Sequence, residues 1–303
     1  MKLAALDLGS NSFHLLVAQI DGTRRLTKLG SYKDVLRLGS VVREQGRLND
    51  EVFERGLASV GRAAGVARTL GAKTILAVAT SALRDAANGA AFCNQCFAEH
   101  GVRVQLITGD EEAGLAYLGA RSAFEDASGR VLVADIGGGS VELALGEDAT
   151  CTDVRSLPLG FLRLASAFPM AETGGPTRLA RYVQLECESA RWQLGRFDTL
   201  LLSGGTARAL GKLLGAGTAS IGAKRVRELC DEVCSSSRTQ LLRRGVDAAR
   251  AETLGLGAAV VSGLVAGFGQ RQLRISPRGL REGLILRELM RPAPTEASRL
   301  RAG

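Results

Sequence analysis

Apolar positions along the chain keep changing rhythm. Residues 2–8 and 13–20 run apolar or alternate, with Gly-Ser-Asn-Ser between them, which predicts a β-hairpin. Asp21-Gly22 adds a second turn of hairpin type. Residues 48–71 switch to helical spacing, with Asp50 as the expected N-cap and Gly71 as the stop. Residues 73–80 predict a strand that ends in Ser-Ala-Leu-Arg-Asp-Ala. A helix over 86–100, a strand over 102–107 and a helix over 109–124 follow. A second hairpin begins at Val131, then a strand near 152–157, a helix over 177–195, a strand over 198–206 and mostly helices. Strands alternating with helices in this way indicate an α/β fold.

The two hairpins repeat each other. A shift of 128 residues places Asp7 on Asp135, Gly9 on Gly137, Ser12 on Ser140 and Leu15 on Leu143. Both segments read D-[L/I]-G-x-x-S-x-x-L between apolar strands. One such unit at the head of each half implies two related domains, residues 1–125 and 126–303, facing each other across a cleft. The last helix of the second is expected to pack back on the first.

A turn of Gly and Ser aims several backbone N–H groups in one direction and makes an anion-binding nest. Two of them can grip neighbouring phosphates from opposite sides. Asp7 and Asp135 add hard oxygen ligands, which with phosphate suit Mg²⁺ (or Mn²⁺). Neither turn is a P-loop, since GxxxxGK[ST] is absent. A third glycine element, Ser203-Gly204-Gly205-Thr206, ends a strand and opens a helix, another place where anions gather.

Charge points the same way. The 303 residues carry a formal net charge of +8, which favours an anionic partner. Aromatic residues are only 4%, too few for the stacking platforms of single-stranded nucleic acid, so nucleic acid is not the expected partner. No apolar run is long enough to span a bilayer, and no membrane partner is expected. The start of the chain shows no secretory pattern, so a cytoplasmic location is expected. The arginines crowd late, and the Arg-rich stretch 271–291 is the candidate for part of a track that holds a long polyanion, with Arg274 and Arg278 as the pair to substitute. Of six cysteines, Cys93 and Cys96 with His100 have partial zinc-like spacing, but no second pair completes it. They read as small helix-packing residues.

Seven segments, "DLGSNSFHLLV", "ATSALRDA", "ITGDEEAGLAYLGA", "LVADIGGGSVELALG", "LPLGFLRL", "LLSGGTARAL" and "RGLREGLILREL", together resemble the signatures of the exopolyphosphatase / guanosine pentaphosphate phosphohydrolase (Ppx–GppA) family. The resemblance implies two RNase H-like domains of the sugar kinase–heat-shock–actin type around a cleft, here in the short, two-domain form. It implies that Glu112 activates or positions the attacking water, with Glu111 as its neighbour. Asp135 and Glu142 would hold the metal and the water, with Asp7, and Arg84 would contact the phosphates. Gly9, Asn11 and Ser12, with Gly137, Gly138, Gly139 and Ser140, correspond to the two phosphate loops. Gly204, Gly205 and Thr206 correspond to a loop on the nucleotide or chain-entry side. His14 reads as structural rather than as a base.

The implied activity is removal of terminal phosphate from linear inorganic polyphosphate, and the assembly could include a homodimer. Hydrolysis of guanosine pentaphosphate in the same cleft is the near alternative. A non-hydrolysing phosphate-binding module would lack Glu112 or Glu142, and an ATP-dependent kinase would need an adenosine site.

Overall fold

In a computed structural model the chain is described over residues 1–291, apart from Arg24, Glu125 and Ala171. The expected second domain, 126–303, therefore ends outside the described residues. The first half contains β1 (Lys2–Leu8), β2 (Ser12–Ile20), β3 (Leu26–Val35), α1 (Leu38–Gln45), α2 (Asp50–Thr69), β4 (Thr74–Ala79), α3 (Ser81–Asp85), α4 (Gly89–His100), β5 (Val104–Leu106) and α5 (Gly109–Arg121). The second contains β6 (Arg130–Ile136), β7 (Val141–Glu147), β8 (Thr150–Leu157), α6 (Phe161–Leu164), α7 (Gly175–Leu194), β9 (Thr199–Ser203), α8 (Gly204–Leu214), β10 (Ile221–Gly222), α9 (Ala223–Ser235), α10 (Arg238–Arg243), α11 (Ala248–Ala251), α12 (Leu254–Phe268), β11 (Gln272–Ile275) and α13 (Leu280–Met290).

The strands form two sheets of the same design. One has the order β3-β2-β1-β4-β5, and the other runs β8-β7-β6-β9-β11-β10. Each begins with an antiparallel meander and continues with parallel strands, and the second sheet ends in β10, antiparallel to β11. The repeat seen in the sequence is therefore a repeat of structure, as the α/β reading with two related domains requires. Register makes it sharper: Asp7 lies opposite His14, and Asp135 lies opposite Glu142.

Helix α2 shows how the local pattern becomes packing. Val52, Leu57, Val60, Ala63, Ala64 and Ala67 recur on one face and are buried. Burying each of the larger ones contributes about 1.5–3 kcal/mol. The cap is Asn49 rather than the expected Asp50: its side chain accepts a hydrogen bond from the Val52 N–H at 3.0 Å. Asp50 instead sits in the first turn, where its charge suits the helix dipole. The helix expected from residue 86 starts at Gly89, after a turn in which the Gly89 N–H bonds the Ala86 carbonyl. Cys93 and Cys96 lie in the core beside α2 and β1.

The two central helices exchange partners. Helix α5 lays Ala113, Tyr117 and Ala120 against Val131, Val133 and Ala144 of the second sheet. Helix α13 lays Leu280, Leu284 and Ile285 against Leu3, Ala5 and Leu16 of the first. The two helices cross at Gly119 and Gly283, where an added Cβ would stand 1.9 Å from the Gly279 and Leu115 carbonyl oxygens respectively. Only glycine allows that approach. Among the described residues no helix is long and apolar enough to cross a membrane.

Candidate active site

Asp7 and Asp135 occupy corresponding positions near the ends of β1 and β6, and the Gly-Ser turns follow them. Each turn is tight in the same way. A Cβ on Gly9 would stand 3.1 Å from the Ser12 carbonyl oxygen, and one on Gly137 would stand 3.0 Å from that of Ser140. The turns also meet across the cleft. A Cβ on Gly139 would lie 2.5 Å from both the Ser10 and the Ser81 hydroxyl, and one on Gly138 would lie 3.3 Å from the Asn11 Cβ. The glycines are thus needed for the two loops to approach each other.

Beneath the loops is a cavity of about 110 Å³. Asp7, Gly9, Asn11, Ser12, Glu112, Asp135, Gly137, Gly138, Gly139, Ser140, Gly204 and Gly205 all line it. Three residues expected with them do not. Glu142 is 1% exposed and stands behind the wall, where its carboxylate accepts from the Ser156 hydroxyl at 3.0 Å. Arg84 also lies behind: it donates to the Ile107 carbonyl at 2.8 Å and to the Glu112 carboxylate at 3.3 Å. Its guanidinium therefore holds Glu112. Thr206 is fully buried, pressed toward Gly257, so its side chain turns into the core.

Helix α5 separates the two adjacent acids. Glu111 closes a capping box, accepting from the Thr108 N–H at 2.8 Å while the Thr108 hydroxyl accepts from the Glu111 N–H at 3.1 Å. One residue on, the helix turns Glu112 inward to 7% exposure. Burial, and then the neighbouring Glu142 carboxylate, push the Glu112 pKa well above the ordinary range. Burial also raises Glu142 to about 7 and Asp7 to about 7. Burial raises Asp135 as well, opposed by the Ser203 hydroxyl, which donates to its Oδ1 at 2.6 Å. Gly204, at φ 95°, lets the chain turn directly under Asp135.

A hard cation fits this donor set. The buried Oδ1 of Asp7 has no hydrogen-bond partner among the described residues. Also among those residues, no group of three His, Cys, Asp or Glu side chains could hold a metal unaided. A sparse carboxylate set completed by phosphate oxygens and water is how Mg²⁺ is commonly bound.

The wall also carries one histidine and three arginines outside the expected catalytic and phosphate-loop residues. His14 faces the cavity, with its Nε2 2.7 Å from the Ser12 hydroxyl. Burial, Arg281 and other cations hold its ring well below the usual pKa, so the imidazole is neutral at pH 7. Arg208, Arg250 and Arg281 also line the cavity. Arg208 had a readable signal, one helical turn beyond Gly204; Arg250 had none. Conversely, Arg274 and Arg278 are engaged elsewhere. Arg274 is bidentate to Asp126 at 2.9 and 2.7 Å and stacks over Phe124, and Arg278 donates to the Ser122 carbonyl at 2.9 Å. They tie the strand leading to α13 to the segment after α5, so these two do not serve the expected polyanion track, whereas Arg281 of the same stretch faces the cavity.

Two duplicated sheets whose matching turns close over buried carboxylates define a two-lobed protein of the actin-like fold class. The chain belongs to the Ppx/GppA phosphatase family, whose profile matches residues 16–292. It is 31% identical over 306 residues to exopolyphosphatase 1 of Mycobacterium leprae, covering 95% of this chain and 90% of that one. It is 32% identical over 304 residues to exopolyphosphatase 1 of Mycobacterium tuberculosis, covering 95% and 88%. The structure of an Aquifex aeolicus Ppx/GppA family member superposes with a TM-score of 0.81 at 26% identity, covering 96% of this chain and 98% of that one. The fold is also that of an exopolyphosphatase from Cytophaga hutchinsonii, with a TM-score of 0.85 at 22% identity over 95% and 98% of the two chains.

Proposed function

We propose that the protein is an exopolyphosphatase, releasing the terminal phosphate of linear inorganic polyphosphate by attack of water. The observation that carries the reading is Glu112. It is a buried carboxylate held by Arg84 and facing a cavity roofed by two phosphate-binding loops. The names of the mycobacterial relatives support the substrate.

Phosphoryl transfer asks a protein mainly for positioning and charge compensation. The backbone N–H groups of the loops at Gly9–Ser12 and Gly137–Ser140 would grip the terminal phosphate. Glu112 would orient the water and accept its proton. Its raised proton affinity suits a base working near neutral pH. Arg84 would keep that carboxylate aimed, acting through Glu112. Glu142, behind, would tune the charge that Glu112 carries. Asp7 and Asp135 would hold Mg²⁺ or Mn²⁺, with Glu142 next to them, and the ion would offset phosphate charge when bound.

The test is phosphate release from long polyphosphate, guanosine pentaphosphate and ATP, in wild type and Glu112→Gln, with Mg²⁺ and with chelator. Polyphosphate should be the preferred substrate, and activity should vanish in chelator and return with Mg²⁺. Glu112→Gln should lower kcat by roughly 10²-fold or more with KM little changed. Full turnover in excess chelator, or a fully active Glu112→Gln, would overturn the mechanism. Preference for guanosine pentaphosphate would replace the substrate.

A further inference from the structure

The molecule has many arginines, and almost all near the cleft are engaged. Arg43 reaches the Leu162 and Arg163 carbonyls, Arg163 reaches Asp85 and the Gly139 carbonyl, and Arg37 pairs with Glu252. Arg208, Arg250 and Arg281 are different. Among the described residues their guanidinium groups have no hydrogen bond or ion pair, yet all three line the cavity. Arg250 is the sharpest case at 8% exposure. A guanidinium largely withdrawn from bulk water, facing a cavity with no protein partner, is matched by an anion in that cavity. Gly205 makes room for it: a Cβ there would stand 2.3 Å from a terminal Arg250 nitrogen.

These cations extend outward from the carboxylates. In the first sheet, Asp7, His14 and Lys33 are successive cross-strand partners on β1, β2 and β3. Partners in register share a face, so they form a row, with Lys33 two strand spacings, roughly 10 Å, from Asp7. Lys33 is at the open end, with its side chain 34% exposed and 3.9 Å from Asp247. The same Asp247 oxygen accepts from the Arg250 N–H at 2.9 Å, which ties Lys33 to the start of α11. The fields divide the same way. Asp7 and Asp135 feel Arg281 and Arg208, whereas Lys33 feels Arg250 and Arg208.

We propose that Arg281 and Arg208, followed by Arg250 and Lys33, form a track that holds the phosphates behind the terminal one and leads the chain out of the cleft beside β3. This rests on the polyphosphate reading of the site. The inner arginines would contact every substrate. Lys33 would contact only substrates long enough to reach it, so it sets a preference for length. No adenine or guanine pocket is needed, since a track of guanidinium and ammonium groups recognises repeating phosphate alone.

The test uses full-length protein in a Glu112→Gln background, to prevent turnover, and titrates pyrophosphate, tripolyphosphate and long-chain polyphosphate at two salt concentrations. Lys33→Gln should weaken long-chain binding about 5–10-fold and lower the log–log salt slope by about 1, with a change under about twofold for pyrophosphate. Arg250→Gln should weaken tripolyphosphate and long chains alike, by about tenfold or more. If Arg250→Gln does not fold, the half-exposed Lys33 decides the matter. In otherwise wild-type enzyme the same Lys33 change should appear in KM for long chains more than in kcat. Equal losses on pyrophosphate and long chains, or no loss on long chains, would overturn the track. Binding is read without turnover, so a protein that releases no phosphate would fail the proposed function while the track remained decided on its own.

Discussion

The crossing of α5 and α13 can be tested by making one substitution at two places on the same helix. A Cβ on Gly119 would stand 1.9 Å from the Gly279 carbonyl oxygen, whereas ordinary contact begins at 3.4 Å. The helices must therefore part by about 1.5 Å, an overpacking that costs about 3 kcal/mol, less up to about 1 kcal/mol regained in helix propensity. A Cβ on Gly114, five residues earlier on α5, would meet nothing within 4 Å. Gly119→Ala should lower Tm by about 5 °C or more, and Gly114→Ala should raise it by about 1–3 °C. The first should also impair catalysis, because Glu112 rides on the displaced helix. A shift near 1 Å at a reacting group can cost roughly 10²-fold, so we expect kcat to fall at least about tenfold. Scanning calorimetry on both variants beside wild type, with phosphate release, reads all of this. A Gly119→Ala protein with wild-type Tm, or equal losses at the two positions, would refute the reasoning.

Two further outcomes follow from the neighbouring residues. Glu111→Ala opens the capping box of α5 and should cost about 1 kcal/mol of stability while leaving kcat within about twofold. A collapse of kcat there, with Glu112→Gln active, would move the base one residue back. His14 has a folded pKa well below the usual 6.5, through burial and the field of Arg281, so the folded state holds that proton less tightly than the unfolded chain. Its contribution to stability is complete above 6.5 and falls as pH drops below it. Its ring NMR signals should therefore stay in the neutral form from pH 8 to about 5.5, and a midpoint near 6.5 would contradict the buried environment described.

What could be read from sequence was what is local. The D-[L/I]-G-x-x-S hairpins needed only short-range pattern, and they led directly to the two sheets and to Asp7 and Asp135. The Thr108–Glu111 capping spacing was likewise on the page, although only the fold showed that it occupies Glu111 and frees Glu112. Asn49 and Asp50 are equally good cap types, so their one-residue ambiguity needed coordinates. Arginine roles were readable only as a late cluster over 271–291, of which Arg281 lines the cavity while Arg274 and Arg278 do not. Whether a guanidinium is paired depends on residues far along the chain, as Arg274 with Asp126 and Arg278 with Ser122 show. The informative property of Arg208, Arg250 and Arg281 is a lack of partners, which leaves no mark on sequence spacing.

The glycine contact between α5 and α13 also bears on how the lobes can move. The chain leaves one lobe along α5 and returns along α13, and the two passages touch at Gly119 and Gly283. Bodies joined by two adjacent passages retain one easy motion, a swing about the line through the contact. Glu112 sits two turns from this pivot on α5, and Arg281 is on the first turn of α13. Both would therefore travel little in such a swing. The facing loops at Ser10 and Gly139 belong to opposite lobes and would separate with it. A swing about this contact would keep Glu112 and Arg281 at nearly fixed spacing while the facing loops part around them.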